Sequence, residues 1–289
     1  MSAKLEPPEA FEVGLTDATS DPTVLELDLT DREPVQNERI LGNRVHAVSR
    51  SDAVSLVLDR SFSSQTGAYV CLTNVHSTIE SRRSAELRDA IEHAFLSVPD
   101  GKPLVWILRR RGHRGTQKVT GIEFMPLVAA EGLTKGLRHL FYGGGPGLAD
   151  AAADGLRRMV PGTRIVGALS PPFTDGADWP LDDLKAAIEM TRPHVLWVGL
   201  GAPKQEIWMA RVASSLDVPV IVGVGAGFDF LAGRKRPAPR FLSELGLEWL
   251  FRLLSEPRRL ARRYILGNSE FVWLLSKDVV SRRVGSWRL

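Results

Sequence analysis

The run Val198-Gly199-Leu200-Gly201-Ala202-Pro203-Lys204-Gln205-Glu206 ends an apolar stretch in glycines and a proline, then presents an ammonium, an amide and a carboxylate in succession. Such groups, gathered by a tight turn, can hold a polar ligand. Other segments set polar groups beside an apolar run in the same way. Thr73-Asn74-Val75-His76 follows Tyr69–Leu72, Asp100-Gly101-Lys102-Pro103 precedes Leu104–Leu108, and Gly223-Val224-Gly225-Ala226-Gly227-Phe228-Asp229 closes Val218–Val224. Asp229 has the chemistry to accept a hydrogen bond from a nucleobase or ribose. Each also has a plain structural use: Thr73, Asn74 or Asp229 as a helix cap, Asp100-Gly101 as a turn dipeptide.

Tyr142-Gly143-Gly144-Gly145-Pro146-Gly147 links a strand-like run to an alanine-rich helix starting near Leu148, which leaves backbone amides to meet a phosphate at a helix N-terminus. A tight turn would use the same residues. The acid that a dinucleotide fold carries about 20 positions on is missing, because Arg164-Ile165-Val166-Gly167 stands there. The core has no Asp-x-Asp pair and no His/Cys cluster at metal-ligand spacing, so chemistry without metal or cofactor is expected.

The elements that must position these groups alternate. Tyr69–Leu72, Leu104–Leu108, Leu137–Tyr142, Arg164–Ala168, Val195–Leu200 and Val218–Val224 read as strands separated by helical patterns. That order predicts an α/β, Rossmann-like fold, a mainly parallel sheet with helices on both faces, whose ligands bind at the carboxyl edge. Residues 39–233 form this predicted domain. Residues 1–38, with ten acidic and two basic side chains, read as a disordered acidic tail. After Gly233 the chain turns basic and helical, and residues 234–289 hold thirteen basic against five acidic side chains. Leu247, Leu250, Phe251 and Leu254 make one apolar helical stripe. Arg258 and Arg262, like Arg259 and Arg263, repeat at i, i+4 near Trp249, Phe251, Phe271 and Trp273. That mixture suits a surface meeting anionic lipid headgroups. No nucleic-acid module accompanies the charge, so no nucleic-acid partner is expected.

No stretch reaches the roughly 18 to 20 apolar residues of a membrane span, and the acidic start lacks the form of a signal peptide. A cytoplasmic protein, soluble or peripheral on the membrane's inner face, is expected. The single cysteine, Cys71, excludes an internal disulfide and lies in an apolar run where a small core residue fits. Oligomeric state stays open, a homo-oligomer included.

Taken in order, Thr73-Asn74, Asp100-Gly101-Lys102-Pro103, Val119-Thr120-Gly121, Gly143-Gly144, Ser170-Pro171-Pro172-Phe173, Gly199 to Glu206, Gly223-Val224-Gly225 with Phe228-Asp229, and Leu247-Glu248-Trp249-Leu250 resemble the WecG/TagA/CpsF glycosyltransferase family from about Ile40 to Tyr264. The resemblance implies inverting transfer of a sugar (N-acetylmannosamine, its uronic acid or a hexose) from a UDP-sugar to a polyprenyl-diphosphate-linked saccharide, without metal, at a membrane surface. It implies Asp100 as general base. Substrate contacts are implied at Thr73, Asn74, Lys118, Gly143, Gly144, Lys204, Gln205, Glu206 and Asp229, with Arg252, Arg259 and Arg262 supplied by a C-terminal appendage. The sequence departs from the family pattern at Thr73, which shifts a threonine hydroxyl from its usual place. Lys118 stands where arginine is common, and Glu123 replaces a frequent aspartate. Two other classes fit parts of the pattern, a nicotinamide-dependent oxidoreductase using the Gly143–Gly147 loop and a non-catalytic membrane-binding module.

Overall fold

The computed structural model describes residues 35–174 and 178–285, apart from the side chains of residues 240, 259, 262–265 and 279–285. The acidic segment of residues 1–34 lies outside the described residues. Six strands form one parallel sheet in the order β4-β3-β8-β7-β5-β6. They are β3 (Ala68–Thr73), β4 (Leu96–Pro99), β5 (Arg138–Gly143), β6 (Arg164–Leu169), β7 (Val195–Gly199) and β8 (Val220–Gly223). An antiparallel hairpin, β1 (Asn37–Ile40) and β2 (Asn43–His46), forms a second, two-stranded sheet joined to β4 through His46 and Ser97. Asn37 and Glu38 belong to β1 although they end the segment expected to be disordered.

Strand side chains alternate between two cores, as a period of two requires. Val70, Leu72, Phe141, Trp197, Val220 and Val222 enter one core, together with residues of α1 (Arg50–Ser61), α5 (Gly121–Gly132), α6 (Leu148–Met159) and α9 (Gly227–Leu231). Tyr69, Cys71, Leu140, Tyr142, Leu196, Val198 and Ile221 enter the other, under α7 (Asp182–Thr191) and α8 (Lys204–Val212). The Tyr69 hydroxyl donates to the Ala90 carbonyl of α3 (Ala85–Glu92) at 2.7 Å. Cys71 is buried, as its apolar run implies. The expected Rossmann-like sheet, covered on both faces, is therefore present.

A third cluster joins Ile40 and Val45 of the hairpin to Ile79 of α2 (Val75–Arg83), Leu104 and Leu108 of α4 (Lys102–Arg110), and Phe271 of α12 (Pro257–Gly285). Ion pairs Arg83–Glu270 and Arg111–Asp278 add to this seat for α12. In the chain, α10 (Arg240–Glu244) and α11 (Glu248–Ser255) precede α12. The predicted apolar stripe falls on and beside α11, but no residue of that helix is fully buried, and Leu254 is 74% exposed. Among the described residues no helix is long and apolar enough to cross a membrane.

One predicted strand is wrong. Leu104–Leu108 lies in α4, where Leu104, Val105 and Leu108 face inward at helical spacing and Trp106 faces out. The strand is Leu96–Pro99, immediately before Asp100. A short apolar run does not distinguish strand from buried helix. The deciding signals were Gly101 at the helix N-cap, with φ of +139°, and Pro103 in the first turn.

Three histidines use Nδ1 as an acceptor inside the fold. Ser97 N donates to His46 at 2.9 Å, the Trp197 indole to His139 at 3.0 Å, and Arg138 N to His194 at 3.0 Å. Burial pulls each imidazole down to about 4. The unfolded chain therefore takes up protons that the native chain refuses between about pH 6.5 and 4, so stability falls as pH falls through that window. Asp100, raised to about 6, opposes the trend as a single group. Urea midpoints measured from pH 7 to 4 should fall steadily, and a flat profile would contradict this account.

Candidate active site

Parallel strands deliver their carboxyl ends to one edge, and most of the predicted site residues stand there. Asn74 is the residue after β3 and the N-cap of α2. Its Oδ1 accepts from the backbone N–H of His76 and Ser77 at 3.0 and 3.1 Å, which fixes the amide so that Nδ2 donates to Asp100 Oδ2 at 3.3 Å. Asn74 thus caps a helix and orients a carboxylate at once. Thr73 is buried, its hydroxyl bonded to Ser97 Oγ at 2.7 Å across β3 and β4.

Asp100 follows β4 and precedes the N-cap of α4, and its backbone N–H donates to the Thr73 carbonyl at 2.8 Å. Withdrawal from water pushes its carboxyl up to about 6. The Asn74 hydrogen bond and the charges of Arg252 and Lys118 pull it down, while Glu248 adds to the rise. The result is a half-buried carboxylate that changes charge near neutral pH, oriented by one amide and faced by two cations. Such a group can accept a proton from a bound hydroxyl.

Gly143 ends β5 and Gly144 follows it, both at positive φ. A Cβ at Gly143 would come within 2.7 Å of the Gly199 backbone, so close strand packing already demands glycine there. After β7, Gln205 is 3% and Glu206 1% exposed. Gln205 Oε1 accepts from Gly201 N at 3.2 Å, and its Nε2 donates to Glu206 Oε1 at 2.9 Å, so the pair braces the turn from within. Lys204 Nζ donates to the Thr174 carbonyl at 3.1 Å and lies 5.3 Å from the Phe173 ring centroid, which ties the loop after β6 to the start of α8. Asp229, in α9, has Lys235 Nζ at 3.5 Å. Arg252, in α11, stands over the Phe230 ring at 5.5 Å and acts on Asp100. The side chains of Arg259 and Arg262 lie outside the described residues.

Lys118 is bound to two residues that the sequence reading did not single out. Its Nζ lies 2.6 Å from Glu248 Oε1 and 2.7 Å from Ser243 Oγ. Glu248 was visible only as part of the Leu247–Leu250 motif, and nothing in the local pattern of Ser243 marks it. Glu123, at the replaced aspartate position, accepts from the Thr120 hydroxyl at 3.1 Å at the start of α5.

A dinucleotide site would need an acid at the end of the second strand of the glycine-loop unit. Ser170 follows β6 instead, its hydroxyl 3.4 Å from the Gly143 carbonyl. Among the described residues no group of three or more His, Cys, Asp or Glu side chains is arranged to hold a metal ion.

The sequence profile of the glycosyl transferase WecG/TagA/CpsF family matches residues 38–285. A relative from Bacillus spizizenii, named N-acetylglucosaminyldiphosphoundecaprenol N-acetyl-beta-D-mannosaminyltransferase, is 26% identical over 196 residues, covering 68% of this chain and 74% of its own length. With the family match running from β1 to the end of α12, the chain belongs to the WecG/TagA/CpsF family and is a glycosyltransferase.

Proposed function

We propose that the chain transfers an N-acetylmannosamine-type sugar from its UDP donor to a polyprenyl-diphosphate-linked saccharide, with inversion and without a metal ion. The observation that carries the reading is Asp100, a carboxylate at a strand's carboxyl end, raised to about 6 and oriented by Asn74 beside Arg252. The acceptor hydroxyl oxygen attacks the anomeric carbon opposite the diphosphate, and its proton passes to Asp100. The bond from the anomeric carbon to the β-phosphate oxygen breaks, and UDP leaves with the electron pair. Attack from the opposite face inverts the centre. Arg252 and the backbone amides around Gly143, Gly144 and Gly201 meet the charge that develops on the leaving group. The name of the Bacillus relative supports this donor and acceptor class.

The membrane-borne acceptor gives the C-terminal helices a use. Phe241, Leu245 and Leu254 are each more than 60% exposed, and Arg258 is exposed near them in the chain. We infer a peripheral position on the membrane's inner face, where such a surface meets anionic lipid.

D100N should lower turnover by about 10² to 10⁴, the usual contribution of a positioned base, with UDP binding kept. A chelator should change little. Because the base acts deprotonated, kcat/KM should fall as pH drops below about 6. Removing the positive charge in R252A should move that acid limb upward. Unaltered turnover in D100N would remove Asp100 from the mechanism.

Calorimetry should give tighter binding of UDP than of NAD, and the reverse would sink the donor assignment. Glutamate at positions 258, 259, 262 and 263 in place of arginine should weaken sedimentation with anionic liposomes, most visibly at low salt, since each basic residue near such a surface contributes about 1 kcal/mol. Undiminished liposome binding would refute the membrane role of these arginines.

A further inference from the structure

The α10–α11 segment is fastened to the rest of the chain at three places. Lys118, with only 6% of its side chain exposed, reaches Glu248 Oε1 at 2.6 Å and Ser243 Oγ at 2.7 Å, and the Ser243 hydroxyl donates to the same Oε1 at 2.5 Å. The turn between α10 and α11 comes down on α4. A Cβ on Gly246, whose φ is +74°, would stand 2.8 Å from the Trp106 ring and 3.1 Å from Lys102 Cβ. At the far end, Lys235 Nζ lies 3.3 Å from Glu256 and 3.5 Å from Asp229 of α9. Glu248 and Arg252 stand four apart on one side of α11, and Glu256 is its C-cap, so Arg252 lies between the two tethers in the chain.

We infer that the Lys118–Glu248–Ser243 cluster is a latch that positions Arg252 beside Asp100, which makes Lys118 and Glu248 positioning residues for the transfer. The inference rests on the proposed reading in which Asp100 is the base and Arg252 meets the departing diphosphate. A lysine that held a ligand phosphate would present its donors to the cleft. Here two of the three ammonium donors are spent on protein oxygens and the side chain is nearly covered. A buried ammonium deprived of its carboxylate is unfavourable, so the latch holds best with both partners in place. Lys118, Glu248 and Arg252 all act on the Asp100 carboxylate, as a latch built against the site requires.

A double-mutant cycle on the full-length enzyme tests this, with UDP release read from UDP-N-acetylmannosamine and a short-chain polyprenyl diphosphate N-acetylglucosamine. E248Q should lower kcat by about 10²-fold, the scale of a misplaced catalytic group. In an R252A background the same change should cost nothing more, because the residue it positions is already gone. K118M should behave as E248Q does, and K118R, which keeps charge and donors, should restore most of the loss. Circular dichroism checks folding; if E248Q does not fold, S243A replaces it in the cycle, since it removes only the hydroxyl. Additive losses in the double variant, or unaltered turnover in E248Q, would overturn the latch while leaving Asp100 as base. Unaltered turnover in D100N or in R252A alone would instead overturn the proposed reading on which the latch rests.

Discussion

A parallel sheet must be re-entered from the same end at every strand, so all of its outgoing turns collect along one edge. In this chain that constraint decides where chemistry is possible. Asn74, Asp100, Gly143, Lys204 and Asp229 are far apart in sequence, yet each lies at the end of β3, β4, β5, β7 or β8, on the first residues after it or in the helix that follows. The edge is also packed too tightly for ordinary side chains. A Cβ on Gly199 would fall 2.4 Å from the Phe228 ring, and one on Gly121 would fall 2.9 Å from the Val224 carbonyl. Glycine at the strand and helix ends lets α5 and α9 close on the sheet, and that closure brings α9 within reach of α11.

Polar side chains at this edge are held in place by the fold itself. Asn74 satisfies backbone donors of α2 with its oxygen, which leaves its amide hydrogens for Asp100. Gln205 and Glu206 brace the turn after β7 while almost fully buried. Residues placed in this way have rotamers fixed by the scaffold, so little has to reorganise when a ligand arrives.

Much of the fold was legible in the sequence because the two periodicities are strong in it. Alternate residues of β3, β5, β7 and β8 feed separate cores, and the expected runs match those strands closely. What failed was local. Leu104–Leu108 looks like a strand when its five residues are taken alone, while the real edge strand, Leu96-Ser97-Val98-Pro99, hides behind a serine and a proline. Ser97 is tolerated in the interior because Thr73 and His46 supply its partners, a pairing across 24 and 51 residues that no local pattern carries. The same limit hid Ser243 and Glu248, whose partner Lys118 is 125 and 130 residues away. The order of motifs pointed to the family and to the residues at the sheet edge, but the ties among them are long-range contacts.

Those ties also set the electrical balance around Asp100, the base in the proposed reading. Lys118 and Arg252 face Asp100 and Glu248, so the four charges nearly cancel before any ligand binds. A diphosphate arriving beside them adds negative charge, which by itself would raise the Asp100 carboxyl further and hold it protonated, the wrong state for a base. The site therefore needs more cations when occupied than when empty. The sequence offers them where α11 gives way to α12, at Arg258, Arg259, Arg262 and Arg263, in a segment that carries a net charge of +8. In the proposed reading that charge helps to keep the Asp100 carboxylate ionised as the donor settles, on a helix already seated by Phe271 and by the Arg83–Glu270 and Arg111–Asp278 ion pairs.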